Sequence, residues 1–327
     1  MRRRRVVITI AIGLVALASL VSWYLASVPR RAAPPSLGVT FSTKYAKELG
    51  LDWKEAYLAT LDDLGVRHLR IPVYWDEAEP ERGRYEWGEV EWMLDEAGER
   101  GAEVILAVGR KTPRWPECHV PGWAAKLDEA RQRERVLNFL EAEILHFKSY
   151  SAVRVWQVEN EPLFHFGKCP PPDRDFLKEE IMLVRGLDAR PVMVTDSGEL
   201  STWIRTATLG DVLGISMYRL VWNKYLGELY WPVSPLYYTD RINIIGPVVK
   251  RVIVSELQAE PWFRAPVAET PIDEQFSQMD PERLRGNVEF AASTGASEIY
   301  LWGVEWWYWL KTNGRDELWK AARGLLS

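Results

Sequence analysis

Two segments of the chain place acidic side chains directly after apolar runs. The segment 153–162 reads VRVWQVENEP and ends in Glu159, Asn160 and Glu161, and the segment 251–262 reads RVIVSELQAEPW, with Glu256 after its apolar half. Two carboxyl groups that flank a glycosidic bond can cleave it, because one protonates the leaving oxygen while the other attacks or activates water. The question is whether the fold brings Glu161 and Glu256 together.

Strand and helix patterns alternate from Leu37 to the end of the chain. The predicted strands are 37–42, 66–75, 104–109, 153–162, 191–199, 211–219, 251–262 and 298–307. Helical spacing predicts helices near 53–65, 90–97, 127–147, 176–187 and 281–293, with a last one ending near 326. Residues 223–240 are expected to form a long aromatic loop. Eight such units predict a single-domain (β/α)8 TIM barrel over 37–327. An open nucleotide-binding sheet would instead show a glycine-rich loop after its first strand.

In a (β/α)8 barrel the carboxyl ends of the strands converge on one mouth, where active sites form. Six side chains of interest are expected at those ends: Arg70, Asn160, Glu161, Tyr218, Glu256 and Trp302. The two glutamates lie on the fourth and seventh predicted strands, across the mouth from each other. This arrangement favours acid–base chemistry on a bound substrate.

The motif Asn160-Glu161-Pro162, together with Glu256, resembles clan A of the (β/α)8 glycoside hydrolases, and its cellulase-like members such as family five in particular. The segment 74–87, YWDEAEPERGRYEW, is also similar to that clan, and the resemblance covers almost the whole chain after residue 37. Many family-five members carry histidines at the ends of strands three and six. This chain has Gly109-Arg110 and Ser216 there, so the substrate contacts of that family do not transfer.

The resemblance implies a retaining hydrolase that cleaves a β-linked oligo- or polysaccharide. Glu161 would be the general acid/base and Glu256 the nucleophile. Asn160 would bind the sugar 2-hydroxyl. Arg70 and Tyr218 would hold Glu256 ionised, and Trp302 would form the floor beneath the sugar. An inactive glycan-binding barrel and a transglycosylase with the same carboxylate pair are the alternatives.

The chemistry requires opposite environments for the two carboxyl groups. A proton donor needs a raised pKa, and a nucleophile needs nearby cations or hydroxyls that keep it ionised. A retaining enzyme should hold the two groups about 5–5.5 Å apart. Glu260 is the rival of Glu256, whereas Glu159 and Glu305 are expected to have structural or substrate-contacting roles. Arg70 could equally be a structural salt-bridge partner.

The chain contains 17 tryptophans. Four of them fall on predicted helices and are expected in the core: Trp53, Trp92, Trp203 and Trp319. Others fall on or near the loops of the mouth: Trp75, Trp115, Trp123, Trp222, Trp231, Trp262, Trp306 and Trp307. Because aromatic faces pack on the apolar faces of sugar rings, Trp262 and Trp306 are predicted substrate contacts, although small loop cores would also use such residues.

The first 36 residues differ from the rest of the chain. Arg2–Arg5 form a basic cluster before 21 uncharged, mostly apolar residues, 6–26, which are long enough to span a bilayer. We expect an uncleaved signal-anchor at 1–26, with a cleaved signal peptide as the alternative, and an extended linker at 27–36. The excess of arginines before this run places the N-terminus in the cytoplasm and the barrel outside it, either at the cell membrane or secreted.

Charge and composition exclude several other classes of protein. Residues 37–327 carry 35 basic and 46 acidic side chains, a net charge of −11 that argues against a nucleic-acid partner. The four histidines are too scattered for a metal site, no cofactor is expected, and no serine–histidine–acid triad suggests an esterase. Cys118 and Cys169 could pair in an oxidising compartment or remain free thiols.

Overall fold

The computed structural model describes residues 34–223, 225, 227–263 and 265–326. It contains ten strands: β1 Ser36–Thr40, β2 His68–Pro72, β3 Glu103–Val108, β4 Val153–Val158, β5 Val192–Ser197, β6 Val212–Met217, β7 Leu220–Asn223, β8 Gly227–Tyr230, β9 Arg251–Gln258 and β10 Glu298–Trp302. Eight of them form a closed parallel barrel in the order β1-β10-β9-β6-β5-β4-β3-β2, and β7 and β8 form an antiparallel pair. The predicted single-domain (β/α)8 barrel is therefore confirmed.

Helices surround the barrel. Their bounds are Thr43–Glu48, Trp53–Asp62, Trp75–Ala78, Gly88–Glu99, Glu129–Phe147, Arg174–Leu187, Ile204–Ala207, Pro235–Ile245, Ile272–Gln278, Pro281–Ala292, Val304–Thr312 and Glu317–Leu326, with short 3₁₀ turns at Ala124–Lys126 and Val267–Glu269. Several of the longer helices begin at an aspartate whose carboxylate accepts backbone N–H groups of the first turn, namely Asp52, Asp128, Asp173 and Asp280. Such caps satisfy donors that the helix itself cannot pair.

The strands have one apolar face toward the helices and another toward the barrel interior. In β3, Val104, Leu106 and Val108 pack under the helices, whereas Ile105 belongs to a separate cluster inside the barrel. That inner cluster contains Ile105, Val155, Met193, Val212, Ile253 and Tyr300. Successive side chains of a strand point to opposite faces, so both clusters arise from nearly continuous apolar strands. The inner cluster fills the barrel beneath the polar residues of the mouth.

Two regions differ from the sequence-based expectation. The eighth barrel strand ends at Trp302 and not at 307, because Gly303 has a φ of +136° and the chain turns there into the helix Val304–Thr312. The expected loop 223–240 instead contains the last residue of β7, all of β8 and the start of the helix Pro235–Ile245. Alternating apolar and polar residues in that stretch are too few to reveal so short a hairpin.

The predicted anchor at 1–26 and most of the linker at 27–36 lie outside the described residues. Among residues 34–223, 225, 227–263 and 265–326, no helix is both long enough and apolar enough to cross a membrane.

Gly303 gives a test of how the last strand is terminated. A Cβ added there would lie 2.7 Å from Cβ of Glu260 and would also crowd the backbone of Ala259. Gly314 has a φ of +82° but open space around it, so Gly314→Ala is the matched control. We expect Gly314→Ala to lower the free energy of unfolding by about 1 kcal/mol. Gly303→Ala should cost roughly 2 kcal/mol more, because overpacking adds to the backbone strain. Urea unfolding measures both, and equal losses would contradict the close packing at Gly303.

Candidate active site

A fully buried arginine organises the mouth of the barrel. Arg70, from β2, is 0% exposed and donates from all three guanidinium nitrogens. Its Nε donates to Gln157 Oε1, its Nη1 to Glu256 Oε1 and its Nη2 to Asn160 Oδ1, each at 2.7 Å. The planar fork of Arg70, which lies in β2, therefore links side chains that belong to or follow two other strands, β4 and β9. The sequence predicted that Arg70 is either a structural salt-bridge partner or a site residue. Its ion pair with Glu256 is consistent with both predictions.

Glu256 lies in β9 with both carboxylate oxygens hydrogen bonded. Arg70 contacts Oε1, and the hydroxyl of Tyr218 donates to Oε2 at 3.2 Å. Tyr218 directly follows β6, the barrel neighbour of β9. Positive charge and a hydroxyl donor both stabilise the ionised form of a carboxyl group. This environment is the one that an anionic nucleophile requires.

Ser216 connects Glu161 to β6, the strand that pairs with β9. Ser216 of β6 is in register with Glu256 of β9, and its Oγ donates to Glu161 Oε1 at 2.7 Å. The backbone N–H of Glu161 donates to Thr195 Oγ1 at 2.7 Å, and the residue has a φ of +42°, in the left-handed region. A non-glycine residue in that conformation is over-represented at functional sites. The serine found where family-five members have a histidine thus fixes one of the two carboxyl groups.

Burial gives Glu161 a higher pKa than that of an ordinary carboxyl group. Desolvation is the largest cause and the nearby charge of Glu256 the second, and together they raise the pKa of Glu161 to about 7. The Ser216 hydrogen bond and the positive charge of Lys111 act in the opposite direction. Near neutral pH this group can hold a proton or release it, as a general acid/base must.

The other acidic residues near the mouth are bonded to groups outside the Glu161–Glu256 pair. Glu159 accepts the backbone N–H groups of Arg110 and Lys111 at 2.7 and 2.6 Å, which fixes the turn after β3. Glu260 accepts hydrogen bonds from Nη1 and Nη2 of Arg114, at 2.5 and 3.3 Å. Glu305 accepts a second hydrogen bond from Nη2, at 3.0 Å. Glu260, the rival candidate for the nucleophile, is thus tied to an arginine other than Arg70.

The tryptophans expected at the mouth have different positions. Trp306 is 0% exposed, its Nε1 donates to Gln275 Oε1, and it cannot contact a sugar, which corrects the prediction for this residue. It lies in the helix Val304–Thr312, whose inner face is apolar core. Trp262 is half-buried and packs edge-to-face on Tyr218, with 5.6 Å between ring centroids. The ring of Trp302 is covered by the Arg114 guanidinium, whose central carbon lies 4.1 Å from the ring centroid.

The loop after β3 contributes residues that the sequence did not single out. Arg114 stacks between the rings of Tyr45 and Trp302, and Glu117 accepts a hydrogen bond from Asn160 Nδ2 at 3.1 Å. A disulfide joins Cys118 to Cys169 and ties this loop to the one after β4, which settles the pairing left open above. In the sequence, the only indication that this loop contributes to the mouth was its charged residues, which lie among prolines and a tryptophan. Their inward orientation depends on positive φ values of +87° at Arg114 and +73° at Glu117.

Among the described residues, no group of three histidine, cysteine or acidic side chains could hold a metal ion. The side chains at the mouth can donate and accept protons and form hydrogen bonds to a polyhydroxy ligand, and they carry both signs of charge.

The chain is similar to solved (β/α)8 structures. GH5_18 from Bifidobacterium longum subsp. longum aligns with a TM-score of 0.58 and 16% identity, over 83% of this chain and 70% of the other. Xylanase 10B from Thermotoga petrophila, solved with xylobiose, aligns with 0.57 and 12% over 83% and 82%. A β-galactosidase from the Antarctic haloarchaeon Halorubrum lacusprofundi aligns with 0.57 and 17% identity. That alignment covers 82% of this chain but only about half, 52%, of the galactosidase.

At 12–17% identity these likenesses support the (β/α)8 barrel fold that the resemblance to clan A implies. No protein-family model matches the sequence, and no curated protein matches it. The roles predicted for Glu161, Glu256 and the residues around them rest on the geometry above.

Buried carboxyl groups predict an unusual dependence of stability on pH. Burial raises the pKa of Glu161, Glu199 and Glu305 to about 7 each, so the folded state binds their protons more tightly than the unfolded state does. The free energy of unfolding should therefore fall as the pH rises from about 4.5 to 8. Calorimetry should find a higher Tm near pH 5 than near pH 8.

A substitution at Glu161 measures how much this carboxyl group contributes to the pH dependence of stability. Glu161→Gln removes one such proton site, so its Tm should fall less over this range and exceed that of the wild type near pH 8. Glu81→Gln, which changes an exposed side chain in the loop after β2, should keep the wild-type slope. A Glu161→Gln protein with the wild-type slope would show that this carboxyl group titrates normally.

Proposed function

We propose that this protein is a retaining glycoside hydrolase that cleaves a β-linked glycan through two glutamates. The observation that carries the proposal is the contrast between the surroundings of two carboxyl groups, those of Glu161 and Glu256. Glu256 is bonded to Arg70 and Tyr218, and Glu161 is bonded to a serine hydroxyl and has a pKa raised to about 7. Retaining hydrolysis needs such a pair, one ionised and one protonated.

In the first step, Glu161 donates its proton to the glycosidic oxygen while a carboxylate oxygen of Glu256 attacks the anomeric carbon. The bond to the leaving sugar breaks, and a glycosyl ester on Glu256 forms. The loss of negative charge on Glu256 lowers the pKa of Glu161, because that charge is one cause of its elevation. Glu161 is then ionised when it must act as a base.

In the second step, Glu161 takes a proton from a water molecule, whose oxygen attacks the anomeric carbon and releases Glu256 as a carboxylate. Two inversions at this carbon leave the configuration unchanged. Asn160, held by Arg70 at 2.7 Å, would bind a sugar hydroxyl beside the reacting carbon. The half-buried Trp262 would offer an aromatic face, and Trp302 would contribute to the floor together with the Arg114 that covers its ring.

Similar barrels support a β-linked glycan as the substrate class. Those solved structures include an endo-β-1,4-xylanase of glycoside hydrolase family 10 and a GH5_18 protein in complex with Manβ1-4GlcNAc. The predicted N-terminal anchor would hold the barrel at the outer face of a membrane, where such glycans are found. That location is a proposal from the sequence alone.

The nucleophile is tested by paired substitutions. Glu256→Gln should lower kcat/KM by about 10³-fold or more, because an amide cannot form the glycosyl ester. Glu260→Gln should retain far more activity, since Glu260 is bonded to Arg114. Far-UV circular dichroism checks that both variants fold.

Chemical trapping gives an independent answer. A 2-fluoro glycoside with a good leaving group should label Glu256, as peptide mass spectrometry would report, and the first-formed product should keep its anomeric configuration by NMR. Labelling of Glu260 would reassign the nucleophile, and an inverted product would exclude the retaining mechanism. Binding of a glycan panel without any product would instead favour an inactive glycan-binding barrel, and transfer to an acceptor sugar would favour a transglycosylase.

The general acid is tested with leaving groups of different basicity. Glu161→Gln should lower cleavage of a natural glycan on the order of 10²- to 10⁴-fold, because the leaving alkoxide needs a proton. A dinitrophenyl glycoside needs none, so formation of its glycosyl ester should be almost unaffected. Pre-steady-state release of dinitrophenol measures that step. Equal losses on both substrates would mean that Glu161 is not the proton donor.

A further inference from the structure

A third carboxyl group, that of Glu117, lies beside the proposed catalytic pair. It is 7% exposed, and Asn160 donates to its Oε2 at 3.1 Å, while the same Asn160 accepts from Arg70. The charges of Glu256 and Glu161 both act on Glu117, and with burial as the largest cause they raise its pKa to about 8. The proposed mechanism gives this carboxyl group no task.

The loop holds Glu117 firmly at this point. Three residues before it, Arg114 is packed between the rings of Tyr45 and Trp302 and bonded to Glu260 and Glu305. The residue after it, Cys118, is bonded to Cys169. A Cβ on Gly167 would lie 2.6 Å from Cβ of Glu117, so the loop after β4 packs directly against it. These contacts and the disulfide therefore fix the position of Glu117 in the mouth.

Among the residues that the structure describes, no cation is hydrogen bonded to Glu117, although the nearby charge of Lys111 lowers its pKa in part. The Nζ of Lys111 donates to the backbone oxygens of Glu161 and Phe164, both at 2.9 Å. The three guanidinium nitrogens of Arg70 donate to Gln157, Glu256 and Asn160. Within the part of the chain that the structure describes, Glu117 Oε1 accepts no hydrogen bond, yet it is not among the oxygens sealed from solvent. A buried carboxyl group with a free, reachable oxygen and two acidic neighbours is suited to a positively charged ligand group.

Taking the proposed hydrolase function as its basis, we propose that Glu117 determines specificity by binding a protonated amino group of the sugar, so that the substrate class is a β-linked glycan containing free amino sugars. An ammonium group supplies both the missing positive charge and a donor for Oε1. A proton that starts on Glu117 can pass to a neutral amine, which yields the same ammonium–carboxylate pair. A hydroxyl or acetamido group in that place could form only an uncharged hydrogen bond with the protonated carboxyl group, whereas an ammonium group forms a charge-assisted pair with the carboxylate.

The test is calorimetric binding to the full-length chain at neutral pH and about 150 mM salt, which screens long-range attraction. The probes are β-1,4-linked tetramers of glucosamine, N-acetylglucosamine and glucose. The wild type should bind the glucosamine tetramer at least tenfold more tightly than either neutral tetramer. Glu117→Gln keeps the acceptor for Asn160 but removes the charge, and it should reduce that preference to about onefold.

Two further variants keep the result interpretable. Glu81→Gln removes one negative charge from an exposed position at the same end of the barrel and should keep the tenfold preference. Glu117→Asp retains the charge and should keep part of the preference, which also serves if Glu117→Gln does not fold. A preference for a neutral tetramer in the wild type, or an unchanged preference in Glu117→Gln, would overturn the proposal.

Binding does not depend on turnover, so the two proposals fail separately. Glu256-dependent hydrolysis of neutral glycans, without a Glu117-dependent preference for amines, would overturn the inference about Glu117 alone. A Glu117-dependent preference without any cleavage would support amino-sugar recognition and overturn the hydrolase.

Discussion

The buried guanidinium of Arg70 is the interaction on which the mouth of this barrel depends. A charge at 0% exposure is tolerated only where its hydrogen bonds are satisfied, and Arg70 meets that condition with Gln157, Glu256 and Asn160. The three acceptors come from β4, from β9 and from the turn after β4. Because the fork is planar and its donors have fixed directions, it sets the relative positions of all three, which a lysine could not do. Arg70 also leaves Glu256 with a counter-charge that its neighbours lack.

That unequal supply of positive charge explains the electrostatics of the site. Arg114 is committed to Glu260 and Glu305, and Lys111 to two backbone oxygens. Among the described residues, Glu161 and Glu117 have no directly bonded cation, and burial raises the pKa of both. The mouth thus combines one carboxyl group that is bonded to a cation with two whose raised pKa lets them hold protons near neutral pH. Because positive charge is scarce beside Glu161 and Glu117, one can donate a proton and the other can bind a cationic group.

The sequence predicted the barrel well because parallel strands buried on both faces read as apolar runs, and because the strand ends converge on one mouth. That reasoning identified Arg70, Asn160, Glu161, Tyr218 and Glu256, which the structure brings into one network. Their catalytic roles remain predictions. The position of Trp306 was wrong because residue type does not reveal that Gly303 ends the strand and starts a helix. Glu117 was missed because its orientation depends on left-handed backbone and a crosslink, and neither has a local pattern.

The disulfide between Cys118 and Cys169 has a consequence for how the molecule opens. The two cysteines are 51 positions apart in the sequence, and the segment between them contains all of β4 and the turn that carries Glu161. In a chain-entropy treatment, a crosslink over a loop of this length stabilises the folded state by about 4 kcal/mol. The loops after β3 and β4 are thereby coupled into one cooperative unit, and neither can unfold locally without straining the other. Reduction would free the two loops from each other, while the pairing of β4 with β3 and β5 would still hold the barrel closed. The shape of the mouth and the persistence of the barrel would then become two separate properties, with the redox state of the surroundings acting on the former.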